Sequence, residues 1–300
     1  IPEWHLPIEF VIFLFLALAS WLLTQRLGMT LGLVYFGVST VAVAFFGIYT
    51  IRNGLLLDVT WSLISQFIIG STSYYLKYRE EYVLRQQIKK QFEHYLDPRQ
   101  VQELQDNPSL LKLGGSKKYI TVLFTDVRGF TAMSESMDPE DVTYIMNRAL
   151  TAQVAAVKQY GGTIDKFIGD ALMAFWNAPL AIEKHENAAL DCAVQMRKNM
   201  NELNLELIDQ DLPTISIGIG INSGPAIVGN MGSDSRFDYT CIGSAVNEAA
   251  RLESSCKTVG SDLIIGRTTA LKSDYALKEL PSIKVKGVER ELQIYTLQTD

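Results

Sequence analysis

Three long apolar runs open the chain, at residues 6–23, 31–51 and 55–76, separated by short polar breaks at 24–30 and 52–54. Each run is close to the roughly 20 residues that a bilayer-spanning helix needs. Three of them would be hard to bury inside a domain of this size, so the pattern predicts an all-α region of three transmembrane helices. The first run is the shortest, and with Trp4, Pro7 and Glu9 at its start it also reads as a buried or interfacial helix.

A charged, helix-favouring stretch follows, in which Tyr78, Tyr82, Ile88, Phe92 and Tyr95 form a partial apolar stripe. Such a stripe suits a helix that pairs with a second copy, or one that lies on its own domain. Asp97-Pro98 interrupts it, and Asp106-Asn107-Pro108 with Gly114-Gly115 marks a second boundary. From there β-rich runs alternate with helical periods. A strand is predicted at 119–125, a helix at 139–160, and a hairpin of 163–168 and 171–176 turning at Gly169-Asp170. A helix at 184–208, a strand at 214–221 and further short strands around a helix at 244–255 complete the pattern. The β-α-β-β-α-β order predicts a ferredoxin-like α+β domain, with helices on one face of an antiparallel sheet. The predicted organisation is a transmembrane region at 1–76, a connecting helix and linker at 77–116, and the α+β domain at 117–300.

Charge sharpens this division. Of the 33 acidic and 27 basic side chains, only Glu3, Glu9, Asp58, Arg26 and Arg52 fall before residue 77. Lys77, Arg79, Arg85, Lys89 and Lys90 crowd the segment after the third apolar run, whereas the second break holds one arginine and the amino terminus none. The positive-inside rule then places the carboxy-terminal domain in the cytoplasm, under the cell membrane, with residue 1 outside. The chain opens with Ile1 and no charged leader precedes the first run, so a signal peptide is not expected. A longer protein with an extracellular sensory domain upstream is the expectation. Cys192, Cys241 and Cys256 lack metal or disulfide spacing and read as small packing residues of a reduced domain. The net charge of −6, without a basic block beyond the juxtamembrane stretch, argues against nucleic-acid binding.

Two aspartates carry the candidate chemistry. Asp126 closes the first predicted strand and Asp170 sits at the hairpin tip. Taken singly, each reads first as an ordinary strand-end or turn residue. In a β-α-β-β sheet, however, the first strand pairs with the strand leaving that hairpin, so the two carboxylates converge. Convergent carboxylates suit hard cations such as Mg2+ or Mn2+, whose remaining coordination comes from water and phosphates.

The surrounding motifs add a resemblance. Phe-Thr-Asp-Val-Arg-Gly-Phe-Thr at 124–131, Gly-Gly-Thr-Ile-Asp-Lys-Phe-Ile-Gly-Asp at 161–170, Gly-Ile-Asn-Ser-Gly-Pro-Ala-Ile-Val-Gly-Asn at 220–230 and Ile-Gly-Ser-Ala-Val-Asn-Glu-Ala-Ala-Arg-Leu-Glu at 242–253 closely resemble the class III nucleotidyl cyclase domain. The likeness spans roughly residues 117 to 297. It implies a membrane-bound adenylate cyclase, converting ATP to 3′,5′-cyclic AMP and pyrophosphate at sites formed between the two subunits of a homodimer.

The resemblance also implies residue roles. Asp126, Asp170 and the Val127 backbone carbonyl would hold two metal ions per site, and backbone N–H groups of the loop at Gly129, Phe130 and Thr131 would meet the nucleotide phosphates. The partner subunit would supply Lys166 and Thr240 to read the base, Asn247 to orient the ribose, and Arg251 to stabilise charge at phosphorus. Lys286 would reach the triphosphate, with Lys284 two residues earlier as the alternative.

Thr240 stands where many adenylyl cyclases carry Asp, which resembles the Lys/Thr subclass often called class IIIb and weakly implies a bicarbonate response. A hydroxyl also donates, so exclusion of GTP is less strict on this residue alone. Gly218 stands where some members carry a phosphate-contacting Arg, a loss expected to slow catalysis without abolishing it. Lys166 opposes a guanylyl cyclase, which typically carries Glu there. The presence of Asp126, Asp170, Asn247 and Arg251 opposes a silent cyclase-fold sensor module. The hairpin Phe-Ile-Gly-Asp-Ala lacks the acidic signature of a diguanylate cyclase. No histidine among His5, His94 and His185 is placed to act as a base.

Overall fold

The computed structural model describes residues 5–55, 58–92, 113–285 and 291–298, which belong to two compact units, Ile1–Tyr95 and Leu96–Asp300.

The described part of the first unit is three helices, α1 (His5–Arg26), α2 (Met29–Arg52) and α3 (Thr60–Phe92). Among the described residues, one helical segment, Thr30–Arg52, is long and apolar enough to cross a membrane, and only 11% of its most apolar window is buried. A shorter apolar stretch, Glu9–Leu23, lies within α1. The third apolar run differs from its prediction at both ends. Asp58 accepts a hydrogen bond from Thr60 N–H at 2.9 Å, so the helix starts after that carboxylate rather than at residue 55. It then continues without a break through the charged stretch to Phe92, joining two predicted segments in one element.

The bundle is polar inside and apolar outside. Its buried residues include Ser20, Thr50, Ser62, Gln66 and Ser73, while Phe15, Phe45, Trp61 and Phe67 stand exposed. Gly70 on α3 lets Phe36 of α2 lie against the helix backbone, since a Cβ there would come within 2.5 Å of the ring. Lys77 Nζ donates to the Leu27 carbonyl, closing off the end of α1.

The second unit is an eight-stranded sheet, with β1 (Gly114–Val127), β2 (Thr163–Ile168), β3 (Ala171–Trp176), β4 (Ile217–Ser233), β5 (Arg236–Ile242), β6 (Leu263–Gly266), β7 (Leu277–Ile283) and β8 (Leu292–Leu297). Its helices are α4 (Phe130–Ser136), α5 (Pro139–Gln159), α6 (His185–Asp209), α7 (Ser244–Val259) and the short α8 (Arg267–Ala270). The strand order β2-β3-β1-β4 is the ferredoxin-like core, extended by β6-β8-β7, with β5 pairing β4 off that path. The sheet is mixed rather than antiparallel throughout, because β6 pairs β4 in parallel.

Helices cover both faces, which corrects the expectation of helices on one. Strand side chains alternate between faces. Leu123, Leu172, Ala174 and Trp176 pack under α5 and α6, whereas Val122, Met173 and Phe175 pack with Val246 and Ala249 of α7. The first helical layer is started by Asp138, whose carboxylate accepts from Glu140 N–H at 2.9 Å ahead of Pro139. On that face, buried Thr121 links His185 Nδ1 and Ser223 Oγ, each at 2.7 Å, and Ser223 continues to Thr269 at 2.8 Å. His185 is thus part of a packed hydroxyl chain, and its burial lowers its pKa.

Candidate active site

Asp126 comes from the end of β1, on the α7 face, two residues past Phe124. Thr125 pairs with Leu172, so Asp126 stands beside the Gly169-Asp170 turn that opens β3. That turn needs the positive φ of Gly169, +65°. The Asp170 carboxylate lies within hydrogen-bonding reach of Asp126. Burial first, then the charge of Asp170, hold the Asp126 carboxyl above its ordinary range, while the Val127 N–H and Arg128 pull it back. Two carboxylates pressed together in partial burial repel each other and fit a hard divalent cation between them. Among the described residues, no group of three or more His, Cys, Asp or Glu side chains forms a ready metal cage. The Val127 side chain is buried in the core under α5 and α6, so only its backbone is left to face the pair.

A second cluster gathers around a β-bulge. Register between β2 and β3 slips between Ile164 and Lys166, leaving Asp165 as the extra residue. A bulge re-aims side chains that would otherwise alternate. Asp165 Oδ1 lies 3.2 Å from Lys166 Nζ, and Asp165 Oδ2 accepts from Thr240 Oγ1 at 2.5 Å. Lys166 and Thr240, 74 positions apart in the chain, therefore meet on one carboxylate. The sequence reading passed over Asp165, although the adjacent polar pair Asp165-Lys166 breaks the strand's alternation.

The loop at Gly129, Phe130 and Thr131 is shorter than expected. Gly129 takes the left-handed conformation, φ 75° and ψ 11°, and α4 begins at Phe130. Phe130 packs partly buried against the core and Thr131 is exposed. The first N–H groups of such a helix have no partner within it. Arg128 ties the end of β1 inward, donating from its backbone N–H to Ser216 O at 2.8 Å and from Nη2 to Ser261 O at 2.9 Å.

Asn247 and Arg251 lie one turn apart on α7. Asn247 is exposed and Arg251 half-buried, and neither makes a hydrogen bond or ion pair to Asp126 or Asp170 among the described residues. Glu253, two positions on, does belong to that neighbourhood. Burial and then the charge of Asp126 push its carboxyl up to about 7, against the pull of Arg128. Lys286 lies outside the described residues, and Lys284 pairs with Glu291 at 3.6 Å.

A family profile described as "Adenylate and Guanylate cyclase catalytic domain" matches residues 115–299. The chain belongs to that cyclase family. All the predicted site residues fall within the matched span. The adenylate cyclase of Anabaena cylindrica is 36% identical over 192 residues, covering 61% of this chain and 37% of that protein. Adenylate cyclase 1 of Rhizobium meliloti (strain 1021) is 33% identical over 181 residues, covering 60% of this chain and 27% of that protein. The chain thus spans about a third of the length of these curated relatives. Among solved structures, the adenylyl cyclase CyaB from P. aeruginosa superposes with a TM-score of 0.59 at 36% identity, covering 63% of this chain and 97% of that one. The guanylyl cyclase Cya2 does so with a TM-score of 0.57 at 31% identity, covering 61% and 93%. The cyclase domain of this chain is therefore similar to enzymes named for either base.

Proposed function

We propose that this chain is a membrane-anchored adenylate cyclase, turning ATP into 3′,5′-cyclic AMP and pyrophosphate at sites shared by two copies. The observation that carries this reading is the convergence of Asp126 and Asp170 at the end of β1 and the opening of β3. They and the Val127 carbonyl would hold two Mg2+ or Mn2+ ions. Such ions, when bound, lower the pKa of the ribose 3′-hydroxyl and neutralise the polyphosphate. The 3′-oxygen attacks the α-phosphorus in line, the ring closes and pyrophosphate leaves.

The chain's own groups do the rest. Lys166 donates to adenine N1 and Thr240 accepts from the exocyclic amine. Arg251 stays charged through the reaction and opposes charge gathering at phosphorus, and Asn247 orients the ribose. Backbone N–H groups at Gly129, Phe130 and Thr131, with Lys286, meet the phosphates. Among the described residues, Asn247 and Arg251 make no hydrogen bond or ion pair to Asp126 or Asp170 of their own chain, which supports their service to a partner's pair. Tyr78 and Tyr82 stack at 6.4 Å and each remains 54% exposed, a surface suited to pairing α3 with a second copy.

The polar-inside, apolar-outside bundle supports membrane anchoring, because helices in lipid pack through small and polar residues and turn apolar ones outward. Three spans, with the catalytic domain cytoplasmic, would follow from α1, α2 and the first half of α3 together with the basic residues after Leu76. An upstream sensory domain would supply the input.

The deciding experiment is the full 300-residue chain in detergent or vesicles with Mn2+ and either ATP or GTP. Cyclic AMP is the expected main product. Dominant cyclic GMP would overturn the base assignment, and no product from a stable dimer would favour a silent sensor module.

A further inference from the structure

The Asp165 side chain is 0% exposed, between the two groups that the proposed function gives to the base. Burying a carboxylate is unfavourable unless donors converge on it. Burial raises its pKa, and three groups act against that: Thr240 Oγ1, Lys166 and the Cys241 backbone N–H. Oδ2 accepts from Thr240 Oγ1 and Oδ1 lies 3.2 Å from the Lys166 ammonium, an arrangement that suits an ionised carboxylate, which only accepts hydrogen bonds. The bulge at Asp165 costs the ladder a pairing position, and its effect is to aim this one carboxylate at Thr240.

We propose that Asp165 sets the nucleotide preference of the site by fixing the Thr240 hydroxyl as a hydrogen-bond acceptor. The proposal rests on the assignment of Lys166 and Thr240 to the base. A threonine hydroxyl has one proton and two lone pairs. With the proton committed to Asp165 Oδ2, only lone pairs are left for a ligand. The neighbouring Lys166 ammonium has only donors. One carboxylate thereby holds a donor and an acceptor side by side, the complement of adenine N1 and its exocyclic amine. Guanine presents a carbonyl oxygen and an N–H at the same two places, so lone pair would face lone pair and donor would face donor. Thr240 alone does not discriminate, because a free hydroxyl rotates and donates. Asp165 is thus a positioning residue, and Thr240 is selective for amine over carbonyl only in its presence.

The test is kcat/KM for ATP and for GTP in the full chain and in D165A, D165N, T240V and D165A/T240V, with thermal melts to establish folding. D165A is expected to lower the ATP-to-GTP ratio by about tenfold or more, since one buried mismatch is removed. D165N, which opens no cavity and still offers an amide oxygen to Thr240, should move the ratio the same way by less. In the T240V background D165A should leave the ratio where T240V put it, a non-additivity that a merely structural role would not produce. An unchanged ratio in folded D165A or D165N, or an equal fall with and without the Thr240 hydroxyl, overturns the proposal. If the unsubstituted chain cyclises neither nucleotide, the cyclase assignment fails separately. Displacement of a fluorescent nucleoside triphosphate by ATP against GTP, with Mn2+, then decides the role of Asp165 by the same ratio.

Discussion

Asp126 faces Gly218 across the β1–β4 ladder, and the space that a side chain at 218 would take is filled from α7 by Glu253, whose Oε1 lies 2.7 Å from the position of the missing Cβ. Two residues on, Gly220 meets the same helix more closely, with Glu253 N at 2.2 Å and Ala249 O at 2.5 Å from its missing Cβ. The first neighbour is the end of a flexible side chain and the second is backbone. G220A should therefore lose about 3 kcal/mol or more, as overpacked sites do, and melt roughly 10 °C lower. G218A should shift melting by only a few degrees, as Glu253 swings aside. Equal losses would mean that Glu253 cannot move. An arginine at 218 has no room while Glu253 stands there.

Glu253 also predicts a pH dependence of stability. Its carboxyl is raised from 4.5 to about 7 in the fold, so the folded state keeps a proton that the unfolded chain releases. That contribution is fully present below about 4.5 and is lost as pH rises through about 7. Asp126, also raised, acts in the same direction. E253Q should match the unsubstituted chain near pH 5 and melt higher than it at pH 8, both measured without metal. A difference between the two proteins that does not change with pH would contradict the buried-carboxylate account.

Divalent metal should reverse part of that trend. Binding stabilises the folded state by mass action, and the acid pair must be deprotonated to ligate. Because Asp126 is held above its ordinary range, Mn2+ is expected to raise the melting temperature less in acid than at pH 8, and D126N or D170N should abolish the shift while the protein stays folded. A full Mn2+ shift in either variant would place the ion elsewhere.

Sharing of sites between copies is open to a mixing experiment. D170A and R251A should each be inactive, since one lacks a metal ligand in every site and the other a partner-borne arginine. Mixed dimers hold one doubly damaged and one intact site, so an equal mixture should regain roughly a quarter of full activity by random pairing. If dimers mix, as shown by differently tagged chains, and activity does not return, the shared-site scheme is wrong.

Much of this was legible in the chain because side-chain period reports local structure directly. The hairpin at 163–168 and 171–176 falls where its apolar runs place it, and the helix read at 139–160 spans Pro139–Gln159. Errors arose where long-range pairing overrides period. The strand read at 119–125 extends back to Gly114, because Gly229 and its neighbours on β4 pair it there. The strand read at 214–221 likewise runs on to Ser233. Asp126 and Asp170 were recognisable from their motifs, whereas Asp165 and Glu253 were not. Their significance lies in contacts with Thr240 and with the space over Gly218, and the polar pair Asp165-Lys166, though it breaks the strand's alternation, does not point to either distant partner.

The unbroken α3 has a mechanical consequence. Thirty-three residues without a proline make a rod about 50 Å long. Its apolar and charged halves share one helical phase. Deleting a single residue from the charged half would turn everything beyond it by about 100° about the axis and draw it about 1.5 Å closer. Deleting seven would return it to within about 20° of its original facing. The angular position delivered at Phe92 is thus set by a residue count, and output measured against such deletions should rise and fall with the period of the helix rather than decline with length.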